Sequence, residues 1–331
     1  MQKFLVIQTA FIGDVVLATS IVEKLHQHFP DSSIDFFVRK GNESLLTNHP
    51  FLHEVFVWDK KENKFKNLFN LLFKIRKVKY DVVINVQRYG ATGFLTAFSG
   101  AKTTIGFDKN PFSFLFTKKI KHVFDEKGNG KHEIERNLEL IKNFTDDIVA
   151  RPKLYPSKTD EEKTKIYKQH PYITVAPASV WFTKQYPADK WISFINKLPE
   201  NLDVYLLGAP ADNSICKKIL QATTNKNVIT LCGKLSFLES CALMKDALMN
   251  YVNDSAPMHF ASAMNAPVSA IFCSTIPAFG YGPLSDKKFI IEIQEKLYCR
   301  PCGLHGYKAC PEKHFRCAEE IEDNQLLQPL H

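Results

Sequence analysis

Residues able to do chemistry gather in four short clusters, each following an apolar run. They are "AFIGDVV" at 10–16, "APASVWFTKQYP" at 176–187, "GAPADN" at 208–213 and "NDSAPMHF" at 253–260. In the first, Gly13 marks a turn and Asp14 follows at once. A strand that ends in a glycine turn and opens a helix usually binds phosphate, which a carboxylate there would repel, so Asp14 needs a different role. The second cluster offers Ser179, Thr183 and Lys184 just before a helix whose start is marked by Pro187. Backbone N–H groups, hydroxyls and one ammonium are what a diphosphate requires, although an ordinary strand–helix loop with a solvated lysine has the same composition. In the last cluster Asp254 ends a strand, Ser255 takes the cap position and Pro257 falls in the first turn, leaving free N–H groups at the helix start. Asp254 or Ser255 as a plain helix cap is the competing reading there.

These clusters must be held by alternating strands and helices. "FLVIQ" is followed by a helix over 13–28, "IDFFV" by 42–48, "EVFVW" by 64–77, "DVVINV" by 90–99, and "TTIGF" and a helical "HEIERNLELIKNF" complete the first half. The pattern restarts with "YITVA", a helix from Pro187 to about Leu198, "DVYLLG", a helix from about Ala211, "VITL", a helix over 236–245, "LMNYV", a helix from Ser255, and "VSAIF". Such alternation predicts an α/β protein with two doubly wound parallel sheets, which bind ligands at the carboxyl ends of their strands. The expected organisation is a domain over 1–150, a polar linker over 151–170 and a second domain over 171–331.

The composition, 45% hydrophobic and 24% charged over 331 residues, is that of a soluble globular chain of two domains. No run of 18 uncharged apolar residues occurs and no signal-peptide pattern opens the chain, which predicts a cytoplasmic protein. A net charge of +8 suggests an anionic ligand or surface. No nucleic-acid-binding pattern accompanies that charge, so nucleic acid is not an expected partner.

As a set, these stretches resemble glycosyltransferase family 9, which includes the ADP-heptose:lipopolysaccharide heptosyltransferases and has the two-domain GT-B fold. The residues that carry the resemblance are "GDVVLATS", "FSGAKTTIGF", "APASVWFTKQYPADKW", "LLGAPAD", "LCGKLSFLESCALMKDA" and "NDSAPMHFASAMNAPVSAIFCSTIP", in order along nearly the whole chain. The tail "CRPCGLHGYKACPEKHFRC" looks most like the heptosyltransferase II branch. The resemblance implies an inverting, metal-independent transferase with no cofactor, moving a heptose from ADP-L-glycero-β-D-manno-heptose to the lipopolysaccharide inner core. It also answers the question of Asp14, as the general base facing the acceptor, with the nucleotide held by the second domain.

Lys184, with Ser179 or Thr183 and the helix start at Ser255, would stabilise the departing diphosphate; Asp254 would lie near the donor sugar and Asp212 on the ribose. Gly13, Gly208, Ala256 and His259 complete the implied donor set, His259 as a packed or supporting residue. Ala256 stands where the family usually has glycine, and the loop is expected to tolerate it. Two other readings compete: a different nucleotide-activated sugar as donor, or a sugar-nucleotide binding protein without activity.

Two further constellations stand apart. Between Asp59 and Tyr80 lysines and arginines are interleaved with Phe65, Leu68, Phe69, Leu71, Leu72, Phe73 and Ile75. The helical spacing of Leu68, Leu71, Leu72 and Ile75 predicts a helix on its sheet with a solvated basic face; the sharper reading is contact with anionic lipid of the inner membrane, at its cytoplasmic face, or with the phosphorylated lipid-linked acceptor. Of the eight cysteines, Cys216, Cys232, Cys241 and Cys273 sit in core-like segments, whereas Cys299, Cys302, Cys310 and Cys317 cluster. Structural zinc, disulfides and reduced thiols compete for these four. Reduced thiols are favoured and zinc comes second: a cytosolic setting disfavours disulfides, and the second pair is not as closely spaced as most zinc ribbons require.

Overall fold

The computed structural model describes residues 1–124 and 130–330, which form two compact units meeting in sequence between Tyr155 and Pro156. The first contains β1 (Lys3–Ile7), α1 (Ile12–His28), β2 (Ser33–Arg39), β3 (Leu52–Trp58), α2 (Lys64–Val78), β4 (Val82–Asn85), α3 (Gly90–Ala97), β5 (Thr103–Phe107), β6 (Lys118–Ile120) and α4 (Glu133–Leu138). Its six strands are all parallel, in the order β3-β2-β1-β4-β5-β6. The order reverses between β1 and β4, and in open sheets such a switch point leaves a crevice at the carboxyl ends of the strands.

The second unit holds α5 (Lys158–Thr164), β7 (Tyr172–Ala176), α6 (Ala188–Asn196), β8 (Asp203–Leu206), α7 (Asn213–Ala222), β9 (Val228–Thr230), α8 (Phe237–Lys245), β10 (Met249–Asn253), α9 (Ala256–Ala263), β11 (Val268–Ile271), β12 (Lys288–Ile291), α10 (Arg316–Glu319) and α11 (Asp323–Leu327). The sheet order β12-β11-β10-β7-β8-β9 repeats the first topology, with its switch between β7 and β10. Both central strands are buried along their whole length, as parallel strands covered on two faces must be. Ile173, Val175, Trp191, Phe194, Ile195 and Tyr251 form the heart of this core.

The helix expected over 42–48 is a short 3-10 turn at Glu43–Leu46, and the one over "HEIERNLELIKNF" stops at Leu138 before a 3-10 turn at Lys142–Phe144. The stretch read as a linker is structured. Lys153 N–H donates to the Thr19 hydroxyl at 3.0 Å and the Tyr155 hydroxyl to Glu23 at 2.7 Å, so residues up to 155 lie on α1. Beyond it, Ser157 caps α5, accepting from Asp160 N–H at 3.1 Å while Asp160 takes the Ser157 N–H at 2.7 Å. Lys163 then pairs with Glu239 of α8 at 2.7 Å. Charged residues there fasten the segment to the surface of the second unit, which is why its composition reads as polar.

Candidate active site

In the first unit, Asp14 is the third residue of α1, and Gly13 lies inside the first helical turn, not in a turn before it. The Phe11 N–H donates to Asp14 Oδ2 at 3.1 Å. A carboxylate at a helix start is normally favoured by the exposed N–H groups. Burial nevertheless outweighs them: desolvation, then the like charge of Glu133, lift its pKa to about 6 against the lowering by the Phe11 N–H, its own N–H and Arg39.

Two cations that sequence reading passed over share this end of the sheet. Arg39 ends β2 with its guanidinium 5.1 Å from the centre of the exposed Phe11 ring. Lys60, two residues beyond β3, donates to the Thr9 carbonyl at 2.8 Å and to its hydroxyl at 3.1 Å, 4.9 Å from the Trp58 ring centre. Burial, then Arg39 and Lys64, bring the Lys60 pKa down to about 8. Around the end of β1, then, an acid is held weak and a base is held weak, the condition for proton transfer near neutrality.

In the second unit the loops after β7, β10 and β11 converge. Lys184 Nζ lies 2.6 Å from Asp254 Oδ2, and the Thr275 hydroxyl donates to that same oxygen at 2.6 Å. Ser255 follows in an extended conformation, its hydroxyl donating to the Asn253 carbonyl at 3.3 Å instead of capping α9, which leaves the N–H groups of the first turn without a side-chain cap. Ala256 is the first residue of α9 and is absent from the positions with positive φ, so replacing glycine there costs no backbone strain. His259, one turn on, is buried.

Ser179 is partly exposed, and its carbonyl accepts from the Gln185 amide at 2.5 Å. Thr183 is only 1% exposed, and its hydroxyl accepts from the Tyr307 N–H at 2.7 Å and the Ser274 hydroxyl at 3.1 Å. It is a tie between loops, whereas Lys184 next to it reaches the site. After β8, Asp212 accepts the Ala209 N–H at 2.8 Å and so braces its own loop; a Cβ on Gly208 would lie 3.0 Å from the Asp212 Cβ and 3.1 Å from Cys232 Sγ. Thr275, Ser274 and Arg300 complete this region without any local signal in the sequence.

As for metal ligands, among the described residues Asp35, His53 and Glu54 come close enough to share an ion. The Asp35 carboxylate is already occupied by the Tyr80 hydroxyl, His53 Nδ1 at 3.1 Å and the Glu54 N–H at 3.0 Å. No disulfide joins the four tail cysteines: Cys302 donates to the Cys299 carbonyl at 3.0 Å, and Cys299 Sγ stands 3.9 Å from His314 Nε2. Burial pushes the Cys317 thiol up to about 12.

Comparison with known proteins agrees with this architecture. Lipopolysaccharide heptosyltransferase 3 of Escherichia coli K12 is 26% identical over 281 residues, 81% of each chain. A family 9 glycosyltransferase from Veillonella parvula superposes with a TM-score of 0.86 at 20% identity, covering 99% of this chain and 96% of its own. The E. coli ADP-heptose lipopolysaccharide heptosyltransferase II gives 0.82 at 21% identity, covering 99% and 97%. The sequence model of "Glycosyltransferase family 9 (heptosyltransferase)" matches residues 68–308, well over half of the chain. The protein belongs to glycosyltransferase family 9.

Proposed function

We propose that this protein is an inverting heptosyltransferase that moves a heptose from ADP-L-glycero-β-D-manno-heptose to a sugar of the lipopolysaccharide inner core. The observation that carries this reading is the family match over 68–308, which spans the loops bearing Lys184 and Asp254. Asp14 takes the proton of the acceptor hydroxyl as its oxygen bonds to the anomeric carbon. The bond from that carbon to the diphosphate oxygen breaks and ADP departs with the electron pair, inverting the centre. Lys184 and the uncapped N–H groups at the start of α9 meet the charge on the leaving diphosphate. In the free protein Asp254 holds that ammonium, and Thr275 hydrogen-bonds the carboxylate that the incoming diphosphate must displace.

The acceptor falls to the first unit and the nucleotide sugar to the second, with Ser179 and Ser255 supplying hydroxyls and Asp212 the ribose contact. No Asp-x-Asp occurs in the sequence, which favours charge neutralisation by lysine and N–H groups over a divalent ion. No helix among the described residues is long and apolar enough to cross a membrane. Contact with the cytoplasmic face of the inner membrane instead falls to α2. Its Leu68, Leu71, Leu72 and Ile75 are buried, while Phe65, Phe69 and Phe73, spaced i, i+4, i+8, are 66%, 47% and 62% exposed among lysines. Two well-exposed rings, Phe65 and Phe73, with the half-exposed Phe69 packed edge-on against Phe94 between them, suit insertion of a basic helix at an anionic lipid surface.

The test is incubation of the purified protein with ADP-heptose and a heptose-free lipopolysaccharide core. Release of ADP together with a heptosylated product supports the reading. Equal turnover of UDP- or GDP-sugars overturns the donor, and tight ADP binding without transfer leaves a binding protein.

A further inference from the structure

The cysteine-rich tail does more than close the second sheet. After β12 the chain runs back across the loops of the donor region, and Arg300 fixes it there. Its Nε donates to the Cys273 carbonyl at 2.7 Å, and one terminal nitrogen reaches the Phe272 carbonyl at 3.1 Å, the Thr275 carbonyl at 2.9 Å and Glu292 at 2.6 Å. Two residues on, the Cys302 N–H donates to the Ser274 carbonyl at 2.8 Å. At the far end Tyr307 and Thr183 are doubly joined: Thr183 N–H to the Tyr307 carbonyl at 3.1 Å, and Tyr307 N–H to the Thr183 hydroxyl at 2.7 Å. Ser274 closes the ring, its N–H on the Thr183 carbonyl at 3.2 Å and its hydroxyl on the Thr183 hydroxyl at 3.1 Å.

Gly306 shows how close the approach is. Its φ is +75°, and an added Cβ would lie 2.9 Å from Thr183 Oγ1 and 3.0 Å from Lys184 Cγ. The tail therefore touches the stem of the lysine whose ammonium holds Asp254, while Arg300 and Ser274 fix the chain that carries Thr275 to the other side of the same carboxylate.

We propose that residues 300–307 form a strap that sets the position of Lys184 for the donor diphosphate, with Thr183 and Arg300 as its positioning residues. This rests on the reading of Lys184 as the cation that meets the diphosphate. The buried Thr183 hydroxyl joins three chain segments, so its loss leaves the Tyr307 N–H and the Ser274 hydroxyl without their partner and loosens the backbone one residue from Lys184.

The experiment compares Thr183→Val, Thr183→Ser, Gly306→Ala and Lys184→Ala, with ADP affinity by calorimetry, donor and acceptor KM, kcat and Tm. Thr183→Val and Gly306→Ala are expected to weaken ADP and raise donor KM tenfold or more while acceptor KM stays within twofold, and Thr183→Ser to restore wild-type values. Adding Thr183→Val to Lys184→Ala is expected to cost less than a further twofold, since both act through one group. Full loss of ADP affinity from Lys184→Ala with none from Thr183→Val or Gly306→Ala overturns the strap alone. Unchanged affinity in Lys184→Ala overturns the role of Lys184 and the strap with it. If Thr183→Val does not fold, Gly306→Ala and Ser274→Ala decide the matter by the same readouts.

Discussion

If Asp14 is the general base, its burial must appear in the pH dependence of transfer. With a pKa of about 6 the carboxylate is about 91% ionised at pH 7 and about 9% at pH 5; at its ordinary value of 3.8 it would still be about 94% ionised at pH 5. The sign follows from the chemistry: only the ionised form accepts the proton, so raising the pKa removes activity on the acid side. The profile of kcat/KM, measured as ADP release between pH 4.5 and 8, should lose about tenfold between pH 7 and 5. Glu133→Gln separates causes, because it removes the like charge that adds to burial. Its carboxylate takes Arg136 Nε at 2.9 Å and the terminal nitrogen at 2.7 Å, contacts a glutamine oxygen can keep, so α4 should persist. The acid limb should move to lower pH in this variant and vanish in Asp14→Asn. A flat profile down to pH 5, or a limb that survives in Asp14→Asn, refutes the reasoning.

Other consequences are open to equally direct measurement. Asp14→Asn should keep ADP affinity and lower turnover by roughly two to four powers of ten; lost ADP binding with turnover retained at saturating donor would remove it from the base role. Lys184→Ala should raise donor KM and lower kcat together and, by stranding Asp254, cost about 3 kcal/mol of stability; adding Asp254→Asn should recover most of the Tm but not the transfer. Replacing the exposed Phe65 and Phe73 by serine, with Phe69 left on Phe94, should weaken sedimentation with anionic vesicles at least tenfold while Tm holds, whereas undiminished binding would return α2 to a solvated face. Transfer should persist in excess EDTA, and activity restored only by magnesium or manganese would overturn the leaving-group chemistry.

The strands were legible because both central ones are buried on two faces, so that "FLVI" and "YITVA" are apolar without interruption. At the sheet edges the signal is uneven: β3 and β9 keep enough apolar residues to read as "EVFVW" and "VITL", whereas the other two edge strands do not. β6 is "KKI" and β12 is "KFII", edge strands whose exposed residues carry no pattern, and both were missed. The same division runs through the candidate site. Asp14, Lys184 and Asp254 announce themselves because each is a charged residue in the segment that follows a strand, a local fact. What decides their chemistry is not local: Asp14 is lifted first by burial and then by an acid on α4, and the carboxylate that holds Lys184 follows another strand.

Thr183 is the sharpest case. Beside Lys184 it reads as a second phosphate ligand, yet its hydroxyl is taken by a residue 124 positions further on, in a tail whose cysteines draw attention away from Arg300 and Gly306. Spacing ranks residues by what their own loop lets them do; a buried hydroxyl has few bonds to make, and once tertiary contacts have filled them it serves the site by holding its neighbour in place.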